Sequence, residues 1–130
     1  MNTLEEVKQF FNKDRFATEN GMVVDAIGEG YAKCSVALTE RHKNAVGGVM
    51  GGVPFTLADF AYAVAANHKE PKWVSLSSQI TFLGTAKGTK LIAEAVMEKS
   101  GRSTNYYQVH VTDELGNQVA NVVVTGFSKG

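Results

Sequence analysis

A single cysteine, Cys34, excludes an intrachain disulfide and a cysteine-based metal cluster. It reads as a small hydrophobe within a strand. Neither charge is in excess: Lys plus Arg equal Asp plus Glu at 13 each. That balance gives no electrostatic case for nucleic acid or an anionic membrane as the main partner. It also removes the repulsion that keeps surfaces apart, so self-association is expected. No apolar run approaches the roughly 20 residues that a bilayer span needs. The start, MNTLEEVKQF, carries acidic residues where a signal peptide is basic, so a cytoplasmic chain with no membrane partner is expected. Catalytic signatures are equally sparse. The three histidines, His42, His68 and His110, fall on a loop, a helix end and a strand. They lack metal-ligand spacing and read as surface or structural residues. No Gly-x-Ser-x-Gly elbow occurs, and no Cys–His pair is suggested.

What is present is enough chain, at 130 residues, for one domain with a substantial core. Thr3 and Glu6 have capping-box spacing ahead of a short helix with Leu4, Val7, Phe10 and Phe11 on one face. That stripe is expected to dock on the domain. Met22–Ile27 and Tyr31–Leu38, separated by Gly-Glu-Gly, predict a hairpin. Thr39–Val53 reads as a loop, first polar and then glycine-rich. Strands are expected over 72–82, 90–98, 105–112 and 118–128, with turns between them. In the first of these, Trp73, Ser75, Ser77, Gln79 and Thr81 alternate with an apolar row of Val74, Leu76, Ile80 and Phe82. A polar row opposite an apolar one suggests that one face meets a site, solvent or a partner. Strand runs around one long helix predict an α+β fold with a mainly antiparallel sheet.

The chain is organised around Asn44–Asn67, NAVGGVMGGVPFTLADFAYAVAAN. Pro54 suits a first helical turn, and the alanine-rich stretch after it contains no glycine. Polar residues are too few to solvate a whole face, so this helix is expected to be buried nearly all round. Asp59 is its one charge. A buried carboxylate is costly unless it is paired, hydrated or used. Two readings follow: Asp59 is a functional group, or a structural residue that faces solvent or accepts a hydrogen bond. The GGVMGG cluster lacks the Gly-Lys-Ser/Thr of a phosphate loop. Glycine-rich backbone entering a helix still offers N–H groups to an anion or oxyanion, although such glycines can also merely permit close packing. Asp59 lies about 7.5 Å along the helix axis from Pro54, at 1.5 Å per residue. In a symmetric dimer the glycine of one chain could face the aspartate of the other. If the chain is an enzyme, Asp59 is its base or nucleophile by elimination.

This pattern resembles the PaaI-like branch of the hotdog-fold acyl-CoA thioesterases. The residues that carry the resemblance are Asn44, Met50-Gly51-Gly52, Phe55-Thr56-Leu57-Ala58-Asp59 and Ala66-Asn67. VSLSSQITFLGTAKGTKLIAEAVMEKSGRS and the closing DELGNQVANVVVTG extend it. The resemblance implies a single hotdog domain over 1–130, its sheet wrapped around a central helix at about 54–68. It implies hydrolysis of acyl-CoA without a metal or redox cofactor, coenzyme A being part of the substrate. Asp59 would be base or nucleophile, Gly51 the oxyanion donor and Asn44 the positioning residue. Met50, Gly52 and Ser75 would meet the substrate, with Ser77 a weaker match than Ser75. Gly101, Arg102 and Ser103 would meet the CoA moiety. A homodimer or homotetramer with shared active sites is implied as well. The pattern departs at Met50, where the family usually has histidine; methionine neither donates a hydrogen bond nor transfers a proton. That departure motivates the alternative of a non-catalytic acyl-CoA-binding hotdog protein.

Overall fold

The first helix, α1 (Leu4–Phe11), starts at Thr3, whose hydroxyl accepts from Glu6 N–H while the Glu6 carboxylate accepts from Thr3 N–H. Its Val7 and Phe11 are buried against the domain, as the apolar stripe requires. The computed structural model describes residues 1–130. Asp14 then takes the N-cap position, without a side-chain capping bond, of a four-residue helix, α2 (Arg15–Thr18), too short to leave a periodic trace in the sequence. Two strands follow, β1 (Met22–Gly28) and β2 (Tyr31–Ala37). A 3-10 turn over Glu40–His42 lies inside the segment read from sequence as plain loop. The central helix α3 spans Gly52–Asn67, so it begins two residues before Pro54. Four strands complete the chain: β3 (Trp73–Phe82), β4 (Lys90–Ser100), β5 (Thr104–Asp113) and β6 (Gln118–Ser128).

All six strands form one antiparallel sheet in the order β1-β2-β4-β5-β6-β3. The sheet curves around α3, which touches every strand. The core is the shared interior. Leu57, Ala61 and Val64 of α3 meet inward-facing residues such as Cys34, Ala93, Val109 and Val122, all essentially inaccessible. Small residues on both surfaces let helix and sheet approach closely. Burial also pushes the Cys34 thiol pKa up, so this cysteine packs as a hydrophobe.

The helix is not buried all round. One sheet covers most of its circumference, and a stripe carrying Gly52, Phe55 and Asp59 stays open. The alternation expected along β3 is interrupted as well. Ser75 and Ser77 pair with the adjacent residues Gly126 and Thr125, so Leu76 is the extra residue of a β-bulge. Beyond it Ser78 and Ile80 turn inward, while Val74, Leu76 and Phe82 stay exposed. β3 is a sheet edge whose outer hydrogen-bonding groups have no strand beside them. No helix is long and apolar enough to cross a membrane.

A buried polar contact fixes the rotation of α3. The Tyr62 hydroxyl donates to Asn105 Oδ1 at 3.0 Å, and the ring stands edge-on to Tyr107 at 5.2 Å. Gly126 makes room for this pair, because a Cβ there would overlap Tyr62 Oη and Asn105 Oδ1. Gly126→Ala is therefore expected to destabilise the fold by about 2–4 kcal/mol through overpacking and a broken buried hydrogen bond. Chemical denaturation of the two proteins checks this.

Candidate active site

The glycine loop owes its shape to backbone bonds. Lys43 and Val49 form an isolated bridge, and Met50 N–H donates to the His42 carbonyl at 2.9 Å. Asn44 closes the tip: its Oδ1 accepts from Val46 and Gly48 N–H, each at 3.0 Å. The acceptor end of Asn44 is thus committed to the loop, and the Nδ2 group remains free to donate. Gly51 is the N-cap residue of α3. Neither Gly51 N–H nor Gly52 N–H has an acceptor within the chain, so both point unpaired from the positive end of the helix dipole. Gly51 also sits close under an aromatic ring, and the exposed Phe82 would shift by only a few tenths of an ångström to admit a side chain there. A Cβ there would lie 3.1 Å from the Phe82 ring, which packs over the glycine from the end of β3. Met50 projects into solvent beside them, 57% exposed.

Asp59 lies two turns along α3, on the open stripe. Its cleft, about 300 Å³, is lined by Asp14, by Arg15, Phe16 and Ala17 from α2 and by Thr56 and Phe60 from α3. Phe60 forms a buried wall, while Phe16 is 74% exposed at the mouth. Arg15 is ion-paired with Glu19, so neither Asp14 nor Asp59 has a cationic partner. No third His, Cys, Asp or Glu joins them to make a metal-binding group. Loss of hydration, then the neighbouring Asp14 carboxylate, raise the Asp59 pKa above the ordinary aspartate value. Asp14 is raised by loss of hydration too. Asp59 nevertheless keeps access to solvent, so it can exchange a proton with water at the cleft mouth.

The remaining sequence-derived residues lie apart from this cleft. Ser75 sits exposed on β3 at the bulge, with Ser77 on its far side. Gly101, Arg102 and Ser103 form the exposed β4–β5 turn, closed by Gly101 N–H donating to the Thr104 carbonyl at 2.8 Å. The register links these two places, since Ser75 pairs with Gly126 and Gly126 with Asn105. They share one end of the sheet, and Gly51 lies at the other, against Phe82. Ser75 to Phe82 is seven strand residues, about 23 Å. Gly51 to Asp59 is eight helical residues, about 12 Å along the axis. A single chain therefore does not gather these groups around one reacting atom. Asp14, Phe16 and Phe82 were missed by sequence reading. A capping-type Asp ahead of Arg-Phe-Ala-Thr was the one available signal for the first two.

The comparisons with known proteins agree with this architecture. A model of the thioesterase superfamily matches residues 46–120, more than half of the chain. A putative esterase of Archaeoglobus fulgidus is 31% identical over 120 residues, covering 90% of this chain and 77% of that protein. The acyl-coenzyme A thioesterase PaaI of Escherichia coli is 28% identical over 111 residues, 85% of this chain and 79% of its own. The E. coli PaaI structure, 23% identical in structural alignment, superposes with a TM-score of 0.85 over 98% of this chain and 97% of that one. A Streptococcus mutans protein solved with acetyl-CoA bound is 25% identical, with a TM-score of 0.76 over 85% of this chain and 90% of that one. The chain belongs to the thioesterase superfamily. Within it the relationship runs to the PaaI-like hotdog thioesterases, and the class of reaction is thioester hydrolysis.

The Asp59 carboxyl sets a pH-dependent cost. Its folded-state pKa lies above the unfolded value of about 3.9, so its favourable contribution is complete below that value and lost as pH rises through the folded pKa. Above the folded pKa the ionised group opposes folding. Asp59→Asn is expected to raise Tm at pH 7 by about 1–3 °C, a small figure because solvent screens the site. The gain should shrink as pH falls towards 4. Thermal unfolding of both proteins across that range measures it.

Proposed function

We propose that this chain hydrolyses acyl-CoA thioesters, with aryl or medium-chain acyl groups, to the free acid and CoA. The observation that carries the reading is Asp59, the one carboxylate of the otherwise apolar helix α3, held on its uncovered stripe in a partly dehydrated cleft. Its pKa, raised by loss of hydration and by the Asp14 carboxylate, makes it a better proton acceptor than an ordinary aspartate. It activates water, or attacks the thioester carbonyl itself. Negative charge then develops on the carbonyl oxygen, and the unpaired Gly51 N–H receives it, with Gly52 N–H beside it. Asn44 Nδ2 is the positioning donor, its oxygen being held by the loop.

Met50 does not disable such a site. The leaving group is a thiolate, a far weaker base than an alkoxide or an amide anion, so it departs without a dedicated acid. Ser75 and the Gly101-Arg102-Ser103 turn bind other parts of the substrate. No metal or redox cofactor takes part. The acetyl-CoA in the S. mutans relative supports a CoA ester as ligand.

The separation of these groups within one chain favours a homodimer with shared sites, which can pair further into a tetramer. Pairing of the bare β3 edges about a two-fold axis would run the strands antiparallel. The Ser75 end of one chain would then reach the Phe82–Gly51 end of its partner, and Asp59 of one chain would face the glycine loop of the other.

Asp59→Asn is expected to lower kcat by at least about 100-fold while the protein stays folded, the scale for loss of a general base. Free-thiol release over a panel of aryl and alkyl acyl-CoAs measures it. Near wild-type turnover by the variant would sink the assignment. The departure at Met50 favours one other reading, binding without catalysis. A wild-type chain that binds CoA esters and never releases thiol would establish that reading instead.

A further inference from the structure

His42 is buried, only 3% exposed, and both of its ring nitrogens are engaged. Thr39 N–H lies 3.0 Å from Nδ1, and a backbone N–H can only donate. Nδ1 is therefore the acceptor. The hydrogen sits on Nε2, which donates to the Asn20 carbonyl at 2.7 Å. This bond joins two distant parts of the chain. On one side, the backbone carbonyl of His42 accepts from Met50 N–H, the residue immediately before Gly51. On the other, Asn20 follows α2, and its side-chain amide donates to the Phe16 carbonyl at 2.7 Å. Arg41, next to His42, grips the adjacent carbonyl of Glu19 at 2.5 Å. Neighbouring residues of one 3-10 turn thus hold neighbouring carbonyls beyond α2, the helix that carries Asp14 and Phe16 into the Asp59 cleft. Most other polar bonds of the glycine loop are internal to it, so they shape the loop without fixing where it sits.

We propose that His42 is a positioning residue for thioester hydrolysis, a bracket that places the oxyanion-donor loop relative to the α2 wall of the Asp59 cleft. The role rests on the function proposed above. Its geometric basis is the reach of the imidazole: Nδ1 satisfies the turn while Nε2 spans to Asn20. Misplacing a donor by a fraction of an ångström lowers turnover more than it weakens binding of the distant CoA moiety.

Two amide substitutions separate the two nitrogens. His42→Asn offers an acceptor to Thr39 N–H but is too short to reach the Asn20 carbonyl. His42→Gln restores a donor at the longer reach. The measurement is kcat and KM on an acyl-CoA that the wild type hydrolyses, with Tm recorded for each variant. His42→Asn is expected to lose about 10-fold or more in kcat with KM changed less than about threefold, and His42→Gln to recover most of that loss. Arg41→Ala, an exposed change, removes only the grip on Glu19 and should lower kcat severalfold, which keeps a readout if His42→Asn does not fold. Unchanged kcat in Arg41→Ala and in each folded His42 variant overturns the proposal, as does a glutamine variant that falls as far as the asparagine one. A wild type that hydrolyses no acyl-CoA defeats the function and this role together. Wild-type hydrolysis lost in Asp59→Asn but unaffected at positions 41 and 42 defeats this role alone.

Discussion

The constraint on which this structure depends is that a nearly all-apolar helix is enclosed by a single sheet. α3 has too few polar residues to face water, so six strands curve around it and bury most of its surface. One sheet closes only part of the circle. What remains uncovered is one stripe, and on it lies the only charge that α3 carries. Core packing and candidate chemistry are thus two sides of one helix. Tyr62, bonded to Asn105 and accommodated by Gly126, fixes the rotation that keeps Asp59 on the open side.

The same geometry separates the groups that the proposed hydrolysis would use. The unpaired N–H groups lie at the start of α3, Asp59 two turns later, and Ser75 with the Gly101–Ser103 turn at the opposite end of the sheet. On the proposed reading, one chain presents two halves of a site that do not meet. The exposed apolar edge of β3, with Leu76 and Phe82 outward, is the surface through which a second copy would join them. The electrostatics suit such an arrangement, since neither Asp59 nor Asp14 is neutralised by a cation and the oxyanion donors are unused.

Much of this was legible in the sequence because the information was local. The capping box at Thr3, the β1–β2 hairpin and the four C-terminal strands follow from caps, turns and alternation over a few residues. Asp59 stood out as a lone carboxylate in an apolar helix. The rest depends on long-range contact. The strand order places β3 beside β6 and β2 beside β4, and no periodicity encodes that choice. α2 is a single turn, and its Asp14 reaches Asp59 only through folding. The bulge at Leu76 changes which β3 residues face inward without altering the local pattern. His42 looked like an isolated loop histidine because its partner, the Asn20 carbonyl, is 22 residues away. The expectation that α3 is buried all round failed for a related reason: composition gives how much surface must be covered, and topology decides how much one sheet can cover.

The central claim is that the carboxylate and the oxyanion donor of one working site come from two chains. Subunit complementation tests it most directly. Gly51→Pro removes the donor N–H at a residue whose φ of −58° suits proline. That chain and an Asp59→Asn chain, each inactive alone, would be co-expressed with different tags and the mixed dimer purified. Two-fold sharing leaves one of its two sites intact, so about half of wild-type turnover should return. A mixed dimer that stays at the background of the single variants would contradict the account, because both groups would then act within one chain.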